Sequence, residues 1–162
     1  MLFQSAIKPV VVSVAAALIG TVLPVNAIAG ECPADQVASG AVTSGETVAV
    51  GVTDDVIAAI DLSPKGDAFK GYMLRMRKLV VQPEGVVPWH QHNERAANIY
   101  ILSGSITEYR STCKVGIDHS AGEVTAEFGE GLAHWWKNNT DQPTVILSAD
   151  LLPPQTPNDE SM

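Results

Sequence analysis

Between Gly71 and Leu152 the chain is cut into short pieces, and that rhythm constrains the fold more than any other feature. Seven segments rich in Val, Ile, Leu, Tyr and Thr follow one another: Gly71–Val81, Val86–His92, Asn98–Leu102, Ser105–Tyr109, Glu123–Glu127, His134–Lys137 and Thr144–Leu152. Turn residues separate them at intervals of roughly eight to twelve residues, the spacing of an antiparallel sandwich or barrel and not of alternating helices and strands. The connections supply the chemistry that tight turns need, in Gln82-Pro83-Glu84-Gly85, Ser103-Gly104, Ala121-Gly122, Gly129-Glu130-Gly131 and Asn138-Asn139. No internal repeat or heptad run competes with this reading, so an all-β, antiparallel architecture is expected.

The amino-terminal part has a different character. Lys8 precedes an apolar run from Val10 to Val25, broken only by Ser13, Gly20, Thr21 and Pro24, and Ala27-Ile28-Ala29 follows. A positive start, a short apolar core and an A-x-A site make residues 1–29 a secretory signal peptide, cleaved after Ala29 or, alternatively, after Ala27. Glu31 before Cys32 does not suit a lipid-attachment site. The mature chain would begin at Gly30 in the periplasm or outside the cell, and would keep 133 of the 162 residues, enough for one domain. Residues 30–69 read as a lead-in, with extended pieces such as "ETVAVGV". The stretch "TDDVIAAIDLSP" fits either a short helix capped by Thr53 or Asp54 or a strand, with the helix preferred. The Pro-rich end "PPQTPNDESM", residues 153–162, reads as a flexible tail.

Formal charge is −8, and −9 without Lys8, with no basic block. Nucleic acid and anionic lipid are disfavoured as partners, and nothing beyond the signal peptide points to a membrane. Cys32 and Cys113 are either a bridge or two free thiols; export and an even count favour the bridge, which would close a loop of about 80 residues.

His90 and His92 carry the chemistry. Residues i and i+2 of a strand face one side, so two imidazoles there can share one metal ion. The pair alone is weak, because an H-x-H on a surface strand is often incidental. Its surroundings strengthen it: Gly85 lies just before the pair, Gly104 closes the following strand, and "GEVTAEFGEGLAHWWKN" sets His134 behind a glycine turn and ahead of Asn138.

In these residues the sequence resembles the cupin superfamily. The first motif of that family runs Gly, five residues, His-x-His, three or four residues, Glu, six residues, Gly; the second runs Gly, five residues, Pro-x-Gly, two residues, His, three residues, Asn. His90 and His92 match the first two family ligands, Gly104 the closing glycine, and Gly131, His134 and Asn138 the end of the second motif. The resemblance implies a cupin domain over residues 70–152, a double-stranded β-helix or jelly roll. It also implies a divalent transition metal (Fe, Mn, Zn or Ni) on His90, His92 and His134, and a homodimer paired through its sheets. Several departures are loop adjustments, among them four residues between Gly85 and His90 and Gly129 in place of the proline. One is chemical. Ala97 stands where the family places its glutamate ligand, and alanine coordinates nothing. Three outcomes stay open: a three-histidine site with open positions, a barrel that has lost its metal, or a shell completed by Glu94 or a water beside Ala97. Ala97→Glu tests this: tighter metal binding without new activity would show that the geometry is intact and only the ligand is missing.

Around the histidines, strand parity puts Trp136 on the face of His134 as a pocket wall and Trp135 on the other. Arg75 and Arg77 share one face of their strand, and Arg75 or Arg95 is a candidate to grip a substrate carboxylate. His119, in "IDHSAG", reads as a surface residue, and Glu123 with Glu127 as a solvated face. Three function classes follow: an exported, dioxygenase-like or isomerase metalloenzyme acting on a small organic molecule, a non-catalytic module that binds a small ligand or metal, and an assembly protein whose site is a remnant.

Overall fold

Strand β2, Met73–Gln91, is the spine of the molecule, nineteen residues long and shared by both halves of the sheet. Residues 30–154 are described in the computed structural model. They hold β1 (Val50–Asp61), β2, β3 (Ala96–Ser103), β4 (Ser105–Arg110), β5 (Ile117–Ser120), β6 (Val124–Glu127), β7 (Ala133–Lys137) and β8 (Thr144–Leu152), with two single-turn 3-10 helices between β1 and β2. The order across the sheet is β5-β4-β7-β2-β8-β3-β6, with β1 on the free side of β2, and the pairings are antiparallel. The first half of β2 pairs with β1 and β8, and the second half with β7. The sheet therefore curls into a half-barrel, and the all-β architecture expected from the segment rhythm is the one observed. The signal peptide and most of the tail expected from sequence lie outside the described residues.

Alternation does the folding work. In β8 every second residue is buried, and in β3 the buried positions are Ala97, Ile99 and Ile101. These inward rows meet Leu79, Val81, Val87, Ile106, Trp136 and Ile146 in one core, where each fully buried aliphatic side chain contributes about 2 kcal/mol. The outer face is also apolar in part. Ile60 opposes Leu74 and Leu74 opposes Leu151, while Tyr100 opposes Leu147 and Val124. Of these, Ile60, Leu74, Tyr100 and Val124 are exposed.

Three local expectations are corrected. "TDDVIAAIDLSP" is strand β1 as far as Asp61, because a ladder to residues 73–81 and Val86 of β2 runs along it and bonds its inward-facing backbone groups, many more than a one-turn helix would. The turn expected at Gln82–Gly85 is a bend within β2 that does not reverse the chain. Glu84 N–H donates to Asn138 O and Asn138 N–H to Gly85 O, at 2.9 and 3.0 Å, so pairing carries on across the bend. Gly85 is required there for space: a Cβ would lie 2.7 Å from Gln82 O and 2.8 Å from Val81 Cγ1. Finally, "IDHS" is β5, and His119 is buried, not a surface residue.

Cys32 and Cys113 form a disulfide, 81 residues apart in sequence. Backbone bonds from Ala38 N–H to Thr112 O and from Lys114 N–H to Gln36 O, both 3.0 Å, dock the lead-in on the same turn. Such a bridge belongs in a non-reducing compartment. Among the described residues no helix is long and apolar enough to cross a membrane.

Candidate metal centre

The register of β2 on β7 sets His90 directly opposite His134. His92 lies one residue past the end of β2, yet its N–H still donates to Leu132 O at 2.8 Å, so it keeps the strand parity and turns to the same side. The three rings gather with centroids 4.5 to 5.0 Å apart. Asn138, the last residue of the second motif, takes no part in the cluster. It is buried and pins the β2 bend to the β7–β8 connection by donating to Val81 O and Gln142 O.

Each ring has its outer nitrogen fixed by a pure acceptor. His90 Nδ1 donates to Pro88 O and His92 Nδ1 to Arg95 O, both at 2.8 Å, and His134 Nδ1 donates to the Glu108 carboxylate. A nitrogen facing a carbonyl or carboxylate oxygen must carry the proton, so each Nε2 is left with a bare lone pair. His134 Nε2 lies 3.1 Å from His90 Nε2. Two lone pairs at that distance repel unless a cation lies between them. Two nitrogens bound side by side to one ion at about 2.1 Å would be about 3 Å apart. The donor set therefore fits a metal, and the three nitrogens lie within 4.8 Å of one another. Electrostatics keeps the rings ready. Burial, followed by the neighbouring His134, pushes His90 well below the usual imidazole range, and burial with His134 and Arg95 takes His92 down to about 3.

A second layer supports the first, and sequence reasoning missed it. Glu108 is fully buried and accepts from Arg110 Nε at 2.7 Å, Arg110 Nη2 at 2.8 Å, His119 Nε2 at 3.0 Å and His134 Nδ1. Burial alone would raise this carboxyl, but the bonds from His119, His134 and Arg110 outweigh it and hold it well below the usual range. A carboxylate behind a ligating imidazole fixes its tautomer and aim. The signal was present in "SITEYR": Ile106, Glu108 and Arg110 share one parity, so an inward Ile implies an inward ion pair.

Glu127 is the other correction. The solvated face expected for it is wrong, because β6 turns Glu127 inward beside His92, with its carboxylate almost fully enclosed. Glu127 Oε2 lies 3.1 Å from His92 Nε2, and burial pushes its carboxyl up to about 7. Glu94, by contrast, is exposed in the bend after β2 and lies outside the cluster.

A cavity of about 110 Å³ opens beside the histidines. Its walls include Val52, Leu79, Ile99 and Trp136, together with His90, His92 and Glu127. Trp136 thus lies on the His134 side, while Trp135 stacks on Tyr109 with centroids 4.2 Å apart. Arg77 and Arg95 also line the cavity, whereas Arg75 is engaged bidentately by Asp150 at 3.0 and 2.7 Å. Ala97 is buried in the core directly opposite Glu127.

No family model and no curated protein matches the chain. Solved structures do. The Schizosaccharomyces pombe Cnp3 cupin domain aligns with TM-score 0.50 at 8% identity, over 66% of this chain and 65% of that one. KdgF from Halomonas sp. gives 0.48 at 14% identity, over 72% and 98%. The Cupin_2 domain of an XRE family transcriptional regulator from Enterobacter cloacae gives 0.47 at 9%, over 65% and 100%. A structure from Acidithiobacillus ferrooxidans is covered over only 51% of its length. At these identities the likeness speaks for the fold alone. The curled antiparallel sheet, with His90 near the end of its spine and His134 facing it across the ladder, has the fold of the cupin double-stranded β-helix.

Proposed function

We propose that the protein is an exported cupin holding one divalent transition metal on His90, His92 and His134, and that it acts on a small organic molecule as an oxygenase or isomerase. The observation that carries this is the tautomer lock: three buried imidazoles, each with Nδ1–H held by an oxygen, present three bare Nε2 atoms to one point at a cavity wall. A bound Fe, Mn, Zn or Ni ion would supply Lewis-acid polarisation or, where redox-active, oxygen chemistry. The chain's own residues do the rest. Trp136, Leu79 and Ile99 exclude water, and Arg95 brings a guanidinium to the cavity wall, while Arg77 beside it is paired with Asp54 and Asp150. The Cys32–Cys113 bridge supports export. A homodimer is part of the proposal, with the exposed Ile60, Leu74 and Tyr100 face as its interface.

Metal analysis of protein purified from its native compartment tests the centre: about one equivalent is expected in the wild type and a large loss in His134→Ala. Oxygen uptake with thiols, diketones, flavonoids and aromatic acids then tests turnover. Metal-loaded protein that is silent on the whole panel, and that isomerises none of its members, would instead be a binding module. Sedimentation that stays monomeric at high concentration would remove the dimer.

A further inference from the structure

We infer that Glu127 is a fourth protein donor to the ion, delivered by β6 into the space that the small Ala97 leaves on β3, an inference that rests on the three-histidine centre proposed above. Ala97 and Glu127 are directly opposed in the β3–β6 ladder. Such partners have Cβ atoms about 5 Å apart on the same face, so a carboxylate on one reaches the ground beside the other. Both are buried, at 6% and 1% exposure. A side chain larger than alanine at 97 would occupy the volume through which Glu127 passes.

The two buried glutamates differ in what satisfies them. Glu108 accepts four hydrogen bonds and has no lone pair to spare for an ion. Glu127 Oε1 and His92 Nε2 have no hydrogen-bond partner among the described residues. The 3.1 Å between Glu127 Oε2 and His92 Nε2 does not have hydrogen-bond geometry, and it matches the separation of neighbouring donors on one ion. A buried carboxylate oxygen without a hydrogen-bond partner is costly, and a cation at this point would satisfy it together with the imidazole beside it. Glu127 also lines the cavity, so the ion it binds would keep a side open to small molecules.

Cobalt(II) titration of the metal-stripped full protein, followed through its d–d absorption, tests this. Glu127→Gln preserves shape while removing charge, and it should weaken cobalt binding by more than about tenfold and shift the d–d bands. Glu108→Gln, a positioning variant, should weaken binding but leave the band positions unchanged. The double variant Ala97→Glu with Glu127→Ala, which moves the carboxylate across the ladder, should recover affinity relative to Glu127→Ala. It stands in if Glu127→Gln fails to fold. Unchanged affinity and spectrum in Glu127→Gln, with wild type binding normally, would overturn the role of Glu127 and leave the three-histidine centre intact. Wild-type protein that binds no cobalt would bring down both.

Discussion

His90 and His92 are neutral at physiological pH because their surroundings resist the charged form, and this has a measurable cost in the metal-free protein. Their folded pKa values lie below the unfolded value of 6.5, His92 at about 3. The unfolded chain therefore takes up protons below about pH 6.5 that the native chain refuses, and stability falls as pH drops through that window. Glu127 acts with the opposite sign. Its folded pKa of about 7 exceeds the unfolded 4.5, so its contribution is full below 4.5 and is lost as pH rises through 7. Two histidines outweigh one glutamate. The melting temperature of metal-stripped protein should fall between pH 7 and pH 5, and Glu127→Gln should steepen that fall. A flat profile in both proteins would show that the histidines are not held neutral. Ala97 is read differently once its neighbour is known. Ala97→Glu alone would press a second carboxylate against Glu127, so the variant should lose stability on thermal melting instead of simply gaining affinity.

At the level of elements, the bend in β2 sets the site. It joins the half that carries Arg75 and Arg77 to the half that carries His90, and Gly85 makes it by letting its backbone come within contact of Gln82 O and Val81. Gly85→Val should cost about 2 kcal/mol or more in urea unfolding, through overpacking against the backbone, and should weaken metal binding by shifting His90. The strand rhythm was legible in the sequence because inward residues recur at period two. The continuity of β2 was not, since Pro83 and Gly85 look the same in a reversal as in a bend. The choice between helix and strand at Val56–Ile60 was likewise beyond local signals. A one-turn cap and a ladder both satisfy the Asp-rich start, and only the presence of β2 alongside decides.

At the scale of the whole molecule, the curled sheet makes neighbours of residues far apart in the chain. The histidine triad could be read because a spaced motif announces it, and so could the gap at Ala97. What fills the gap could not, because the register of β3 on β6 that opposes Ala97 to Glu127 is a tertiary fact. The same holds for Glu108, whose partners come from β4, β5 and β7. The disulfide is the complementary case, since its two cysteines could be counted but their approach could not. It closes the lead-in onto the turn after β4, well along the chain from His90 and His92, and it acts mainly by restricting the unfolded chain. Reduction, or Cys32→Ser with Cys113→Ser, should therefore lower unfolding stability by about 4 kcal/mol. Cobalt stoichiometry should stay near one, about as in the oxidised protein, because the proposed ligands sit on β2, the residues just after it, β6 and β7. Denaturant titration beside cobalt titration separates the two effects. A reduced protein that folds but no longer binds cobalt would show that the lead-in shapes the site through Ser111, whose hydroxyl bridges Gly131 O and Ala133 N–H just before His134.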